Sequence, residues 1–392
     1  MASPPSPLGA LCEGLYTHGV VDLLSRLGQA HLVGQPVQAL DTPALLINIP
    51  VMDRNIARMA ETFRAAGINW RPHTKGLKSP VLVERLLAAG AIGITCAKTS
   101  EAEVMAEAGV RDILIANQVV GAAKIDRLLR VRTMADPIVA VDSVANVQEL
   151  ESAMQAAGAT LRVVVEVDTG MHRAGTAPGE ATVELAKRVA ASPSLRFVGV
   201  MGWEGHATRA AEPGVKEARI AEAVGLLTQT ADACRAAGLP VEIVSCGGTG
   251  TYWITAQLPG ITEIQAGGGI LSDVVYIEQM GVDHEPAATI LATVTSRPTP
   301  TRIICDTGKK TMSSDGAKPR PLLSSTVRSV GLSAEHATIE LDEPATTPEV
   351  GDKIEFIVGY TDTTVHLHEE LYAVRDGLVE AVWPVLGRGK LR

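Results

Sequence analysis

Residues 68–75 read Ile68-Asn69-Trp70-Arg71-Pro72-His73-Thr74-Lys75, a short extended run closed by a proline and followed at once by polar side chains. A run of this length suits a strand buried in a parallel sheet, and polar groups placed just after such a strand are where α/β enzymes carry their chemistry. The same unit recurs on both sides. Strands are expected over 44–49, 68–72, 92–97, 112–116, 138–141, 161–167, 197–202, 242–246 and 263–266, with helices between them such as 79–89 and 144–157. About eight repeated βα units is the count of a (β/α)8 barrel, although a doubly wound open sheet gives much the same local pattern. The barrel is favoured because His73, Lys75, Asn117, Asp168, Glu204 and the turn Gly247-Gly248-Thr249-Gly250 each follow a strand.

From about residue 285 the texture becomes Thr/Val/Pro-rich alternation with turn pairs Asp315-Gly316 and Asp376-Gly377, the pattern of β-structure. The expected division is an N-terminal segment 1–40 containing a helix over 19–32, a (β/α)8 barrel over 41–284, and a smaller C-terminal β-domain over 285–392. No low-complexity linker separates the last two, so a packed interface is expected between them.

The 392 residues suffice for a large core, and only 3% of them are aromatic, so that core is built from small aliphatic side chains. A net charge of -9 and an isoelectric point near 5.6 argue against nucleic acid and membrane surfaces as partners, since both select clustered Lys and Arg. Cys12, Cys96, Cys234, Cys246 and Cys305 are dispersed, odd in number and form no C-x-x-C pair, so neither a disulfide framework nor a thiolate zinc site is indicated and a reducing compartment fits best. Residues 1–9 contain no basic or long apolar run, so a cytoplasmic protein is expected.

The order of these landmarks resembles the fold-type III pyridoxal-phosphate (PLP) enzymes, the D-threonine aldolase and D-serine dehydratase family, whose barrel is like that of alanine racemase. The carriers are Asp41-Thr42-Pro43-Ala44, Arg71-Pro72-His73-Thr74-Lys75, Asn117-Gln118-Val119-Val120-Gly121, Val165-Glu166-Val167-Asp168-Thr169-Gly170 with Arg173, Gly247-Gly248-Thr249-Gly250-Thr251, Gln265-Ala266-Gly267, Asp306-Thr307-Gly308-Lys309-Lys310 and Val374-Arg375-Asp376-Gly377. No one of them is specific; their order along nearly the whole chain is.

The resemblance implies that Lys75 holds PLP as a Schiff base. A lysine in that role spends time as a neutral amine, which nearby cations or a dry pocket favour; Arg71 and His73 are the expected cause. Gly248, Thr249 and Gly250 would offer backbone N–H groups to the cofactor phosphate, with Gly268 of the second glycine run completing the cradle. Asn117, Arg173 and Trp203 are placed near the ring by resemblance. For Arg173 the ordinary alternative is a salt bridge to Glu166 or Asp168, and for Asn117 a strand-closing turn.

Two stretches depart from the family. Its metal-dependent members carry His-x-Asp or His-x-Cys in the C-terminal domain where this chain has Tyr360-Thr361-Asp362. Just beyond, the period of a strand would put Asp362, Thr364, His366 and His368 on one face. Asp362, His366 and His368 are therefore the expected replacement ligands for manganese, magnesium or zinc; the alternative is a polar strand whose histidines hydrogen-bond at the domain interface. In Trp203-Glu204-Gly205-His206 the family's Tyr-His-Gly is altered, and His206 is the candidate general base with Glu204 orienting it or approaching the ring.

The activity implied is a lyase acting on D-β-hydroxy-α-amino acids by retro-aldol cleavage to glycine and an aldehyde. The alternatives are β-elimination by a D-serine or D-3-hydroxyaspartate dehydratase, amino-acid racemisation, and a non-catalytic PLP-binding protein. The expected partners are an amino-acid substrate and a second copy of the chain in a homodimer.

Overall fold

The computed structural model describes residues 30–210 and 212–392, so the helix expected over 19–32 lies, apart from its last three residues, outside the described part. Eight parallel strands form the first sheet. With β1 (Ala44–Asn48) elsewhere, they are β2 (Asn69–Trp70), β3 (Ile94–Cys96), β4 (Asp112–Gln118), β5 (Asp136–Val141), β6 (Leu161–Glu166), β7 (Leu195–Met201), β8 (Ile243–Cys246) and β9 (Glu263–Ile264). Their order is β2-β9-β8-β7-β6-β5-β4-β3. The two ends of this order meet just beyond β2, where His73 bridges Thr95 in parallel, Thr95 N donates to Pro72 O at 2.9 Å and Thr74 N donates to Thr95 O at 2.8 Å. The ring is thereby closed.

The local sequences explain the strands. β5 and β6 bury Ile138 to Val141 and Val163 to Val165 completely, as expected where helices cover a parallel sheet on one face and side chains fill the ring on the other. The helix α1 (Ile49–Ala66) begins where Asn48 Oδ1 accepts from Val51 N at 3.1 Å and Pro50 occupies the first turn, and it ends at Gly67 with φ 66°. These are a capped start and a left-handed stop. Its inner stripe, Ile49, Met52, Ile56, Met59 and Phe63, belongs to the main core with Trp70 and Leu82.

β1 corrects one expectation. It was read as the opening strand of the barrel, yet it lies in the second sheet, antiparallel to β10 (Ala288–Thr299) and parallel to β16 (Glu370–Arg375). Four successive buried residues suit the interior of either sheet, so the local pattern does not distinguish them. Removing it from the list leaves eight ring strands. The second sheet also contains β11 (Arg302–Cys305), β12 (Arg320–Pro321), β13 (Val327–Leu332), β14 (Ala337–Leu341), β15 (Lys353–Ile357) and β17 (Leu378–Pro384), in the order β13-β14-β11-β10-β1-β16-β17 with β15 between β10 and β12. Two sequence landmarks meet there: Thr42 Oγ1 donates to Asp306 Oδ2 at 2.6 Å, and Thr293 N donates to Asp306 Oδ1 at 2.8 Å. Residues 34–37 pair with 377–379.

Inside the ring, at the end where the strands begin, Arg71 is 2% exposed and its Nε lies 3.0 and 2.9 Å from the two Glu263 carboxylate oxygens. Its Nη2 reaches Asp112 Oδ2 at 3.1 Å, and Arg162 closes the network on Asp112 Oδ1 at 2.6 Å. Gly93 leaves the room: a Cβ there would lie 2.7 Å from Arg71 Nη1. Arg71 is thus a plug of the barrel floor, and the expectation that it acts on the cofactor lysine is corrected. Removing one partner of a buried charge network strands the other charge. Arg71→Ala is expected to lower stability by about 3–5 kcal/mol, read from the urea midpoint, with PLP binding retained in the fraction that remains folded.

Candidate active site

At the opposite end of the ring, where the strands finish, the protein encloses a cavity of about 740 Å³. Strand direction alone brings most of its wall together: His73 and Lys75 follow β2, Asn117 and Gln118 end β4, Glu166 ends β6, Trp203 follows β7 and Gly247 to Gly250 follow β8. Tyr276, Tyr360 and Asp362 complete the wall, the last two supplied from beyond β15 in the second sheet.

Lys75 is half exposed into this space, with Nζ 3.3 Å from Asp362 Oδ2. His73 lies behind it. Burial, with the Lys75 and Lys78 ammonium groups adding to it, holds the His73 imidazole well below the ordinary histidine value. The ring is therefore neutral at pH 7, and its Nδ1 accepts from Lys75 N at 3.3 Å. Lys78, in contrast, is buried against Glu101 at 2.8 Å and lines no part of the cavity, so the two lysines of this stretch separate into one anchored in the core and one presented to ligand.

The two glycine runs are joined, since Gly269 N donates to Thr249 Oγ1 at 3.0 Å. The N–H groups of Thr249, Gly250, Gly267 and Gly268 have no acceptor among the described residues, and all four residues line the cavity. A side chain would fill this cradle: a Cβ on Gly248 would enter the Trp203 ring, one on Gly250 would lie 2.8 Å from Met280 Sδ, and one on Gly268 would lie 2.5 Å from the Tyr276 hydroxyl. Free backbone donors in a side-chain-free concavity suit a phosphate. With a presented lysine in the same cavity, the residues fit PLP.

Asn117 Nδ2 donates to Ala97 O at 3.0 Å while its residue faces the cavity. Arg173 lies at the wall and 3.7 Å from Glu166, whose other oxygen accepts from Gln118 Nε2 at 2.6 Å. The salt-bridge alternative for Arg173 is thus observed, in a residue that also lines the cavity. Burial raises the Glu166 carboxyl above its ordinary value, against the pull of Gln118 and Arg173.

Glu204 and His206 separate. His206 is exposed at the cavity wall, with its ring beside Gly170. Glu204 is buried, accepting from Gly247 N at 3.2 Å, Thr251 Oγ1 at 2.7 Å and Thr255 Oγ1 at 2.8 Å. It touches neither His206 nor the cavity, so its expected catalytic role is corrected to a brace under the glycine turn.

The metal expectation is also corrected. Residues 362–368 form no strand but two 3-10 turns, Thr361–Thr363 and Val365–Leu367. The first is held by Asp273, whose Oδ2 accepts from Thr361 N and Thr361 Oγ1 at 2.7 Å each, and Thr364 Oγ1 bonds back to Tyr360 O at 2.7 Å. Asp362 alone of the three reaches the cavity. His368 Nε2 is spent on Thr311 O at 2.7 Å, and no group of three or more His, Cys, Asp or Glu among the described residues could hold an ion.

Two residues that chemistry-bearing sequence patterns did not single out are central. Tyr276 OH donates to Asp362 Oδ1 and Tyr360 OH to Asp362 Oδ2, each at 3.1 Å. Asp273, pushed up to about 7 by burial against three donors that pull it down, also accepts from Tyr276 N at 2.8 Å and so fixes both tyrosine-bearing segments. The available signal was scarcity, since Tyr276 is one of only five tyrosines.

Comparison with known proteins agrees with this architecture. Residues 47–272 match the alanine racemase N-terminal domain family and residues 287–374 the serine dehydratase domain family. Over 370 residues the chain is 35% identical to 3-hydroxy-D-aspartate aldolase of Paracoccus denitrificans (strain Pd 1222), covering 92% of this chain and 95% of that one. The crystal structure of D-threonine aldolase from Filomicrobium marinum superposes with a TM-score of 0.89 at 34% identity, covering 92% and 98%. D-threo-3-hydroxyaspartate dehydratase from Delftia sp. HT23 superposes with a TM-score of 0.78 at 28% identity, covering 90% and 99%; a mutant of a dehydratase of that name is also solved in a metal-free form.

Two measurements check the site. Borohydride reduction of the PLP-loaded protein followed by peptide mass spectrometry is expected to leave the pyridoxyl mass on Lys75, and none on the chain in Lys75→Ala. Glu204→Ala strands three buried donors at about 1–3 kcal/mol each and is expected to weaken PLP affinity by about tenfold or more, measured by equilibrium dialysis, whereas His206→Ala leaves it unchanged.

Proposed function

Since this chain belongs to the alanine racemase N-terminal domain family, and within it to the PLP-dependent lyases that carry a serine dehydratase-type second domain, we propose that it cleaves D-β-hydroxy-α-amino acids to glycine and an aldehyde. The observation that carries the reading is one cavity holding both halves of the chemistry. The presented Lys75 and the open glycine cradle line the same cavity as a set of hydroxyl-binding groups, Tyr276, Tyr360 and Asp362, with Asp362 3.3 Å from the lysine.

When bound, PLP supplies an electron sink for the pair left on Cα. The protein's own groups select the bond that breaks. Thr249, Gly250, Gly267 and Gly268 would hold the phosphate through their free N–H groups, and Trp203, lying against Gly248, would cover the ring. The neutral His73 adds no second positive charge behind Lys75. Retro-aldol cleavage requires that the β-hydroxyl lose its proton as Cα–Cβ breaks. Asp362 and His206 are two groups in the wall able to take it, and the variants Asp362→Asn and His206→Ala separate them. Arg173, beside Glu166, is a group able to meet a substrate carboxylate.

No helix among the described residues is long and apolar enough to cross a membrane. Cys96, Cys234, Cys246 and Cys305 are free and buried, which supports our placing of the enzyme in the cytoplasm.

Incubation of the PLP-loaded enzyme with D-3-hydroxyaspartate, D-threonine and D-phenylserine is expected to release glycine and aldehyde in equal amounts from at least one of them. A 2-oxo acid with ammonia would replace this reading by β-elimination. Solvent deuterium at Cα with inversion and no cleavage would replace it by racemisation.

A further inference from the structure

The tyrosine at 360 sits where the resemblance implies a metal-binding histidine, and the surrounding atoms do not form an ion site. Asp362 has both oxygens committed: Oδ1 accepts from Tyr276 OH and Oδ2 from Tyr360 OH, each at 3.1 Å, and Lys75 Nζ lies 3.3 Å from Oδ2. The carboxylate is 9% exposed. A divalent ion takes four to six or more donors of lone pairs, from carboxylate, neutral imidazole, thiolate or water. Phenols at their ordinary pKa of about 10 carry their protons at pH 7 and are poor ligands. Each carboxylate oxygen thus faces a phenol O–H rather than a second lone-pair donor. His368 is spent on Thr311 O.

What the residues build instead is a hydrogen-bonding clamp. The rings of Tyr276 and Tyr360 stand edge to face with centroids 5.7 Å apart, so their hydroxyls grip the two oxygens of one carboxylate. Gly76, directly after Lys75, makes the approach possible, because a Cβ there would overlap Asp362 Oδ1. Asp273 fixes the clamp from below through Tyr276 N and Thr361 N. All three clamp residues face the cavity.

Resting on the retro-aldol reading above, we propose that this chain is a metal-independent member of its family, in which the Tyr360 hydroxyl and the Asp362 carboxylate hold the substrate β-hydroxyl in place of a divalent ion. Tyr360 turns its O–H from Asp362 to the β-oxygen, and Asp362 takes the β-hydroxyl proton. The C=O of the aldehyde forms as the Cα–Cβ bond breaks, the electron pair remains on Cα, and the proton is returned to Cα by way of Lys75 Nζ as glycine forms. No water, oxidant or metal enters the balance. Tyr276 keeps its bond to the other carboxylate oxygen and positions it.

The test uses the PLP-loaded enzyme dialysed against EDTA and then freed of chelator. Its metal content is measured by plasma mass spectrometry, Mn²⁺ binding by the loss of the free-ion paramagnetic resonance signal, and aldehyde release with and without added Mn²⁺. The expected result is no stoichiometric metal, no Mn²⁺ uptake at one equivalent, and rates with and without Mn²⁺ that agree within about twofold. Tyr360→His is expected to gain Mn²⁺ uptake in the same titration. Tyr360→Phe is expected to lower kcat by about 10- to 100-fold with PLP affinity unchanged. One tightly held ion per chain, or a rate lost to EDTA and restored by Mn²⁺, overturns the proposal. Silence with every substrate, metal or none, defeats the retro-aldol reading itself, and the Mn²⁺ titration on the unaltered chain then decides whether an ion site exists.

Discussion

The buried ion pair of Arg71 with Glu263 ties β2 to β9 where the ring is thinnest. Each of these strands is two residues long, too short for its ladder hydrogen bonds to fix register strongly. The contact of Arg71 Nε shared between both Glu263 oxygens, with Asp112 and Arg162 extending it to β4 and β6, allows one alignment of four strands at once. Such a network adds little net stability over apolar packing, but it specifies the closure. The alignment has direct consequences two and four residues further along the chain, where His73 N finds Gln265 O at 2.9 Å and Lys75 emerges into the cavity.

The second sheet completes the site rather than merely adjoining it. Because β1 lies between β10 and β16, the chain passes from that sheet into the barrel through α1 and returns at β10, so the two sheets are stitched at several points. The loop after β15 can then be placed over the ring mouth, where Asp273 of the barrel side takes both Thr361 donors. The reactive wall is assembled from residues nearly 300 positions apart, from Lys75 to Asp362, and the 3.3 Å between them depends on this stitching.

The ring strands, the glycine turns, the all-β second half and the presentation of Lys75 were legible because each depends on local pattern: strand length, the polar residue after it, and glycine where a backbone must be bare. Arg71 and Glu204 were misassigned for one reason. Both are polar residues near strand ends, and burial with a partner from another element, which no local pattern encodes, decides whether such a residue serves the fold or the ligand. Residues 362–368 were misread because period-two alternation was applied to a segment that Asp273, 88 residues earlier, pulls into turns.

By itself, the sequence determined the class of scaffold, a lysine presented at the strand ends and the family to which the chain belongs, since short-range propensities and ordered motifs suffice for those. Tertiary structure alone decided which carboxylates brace and which face the cavity, and that Tyr276 and Tyr360 close on Asp362. A hydrogen bond of 3.1 Å between side chains 86 residues apart is a property of the closed ring and its stitched second sheet, and no stretch of the chain read in isolation contains it.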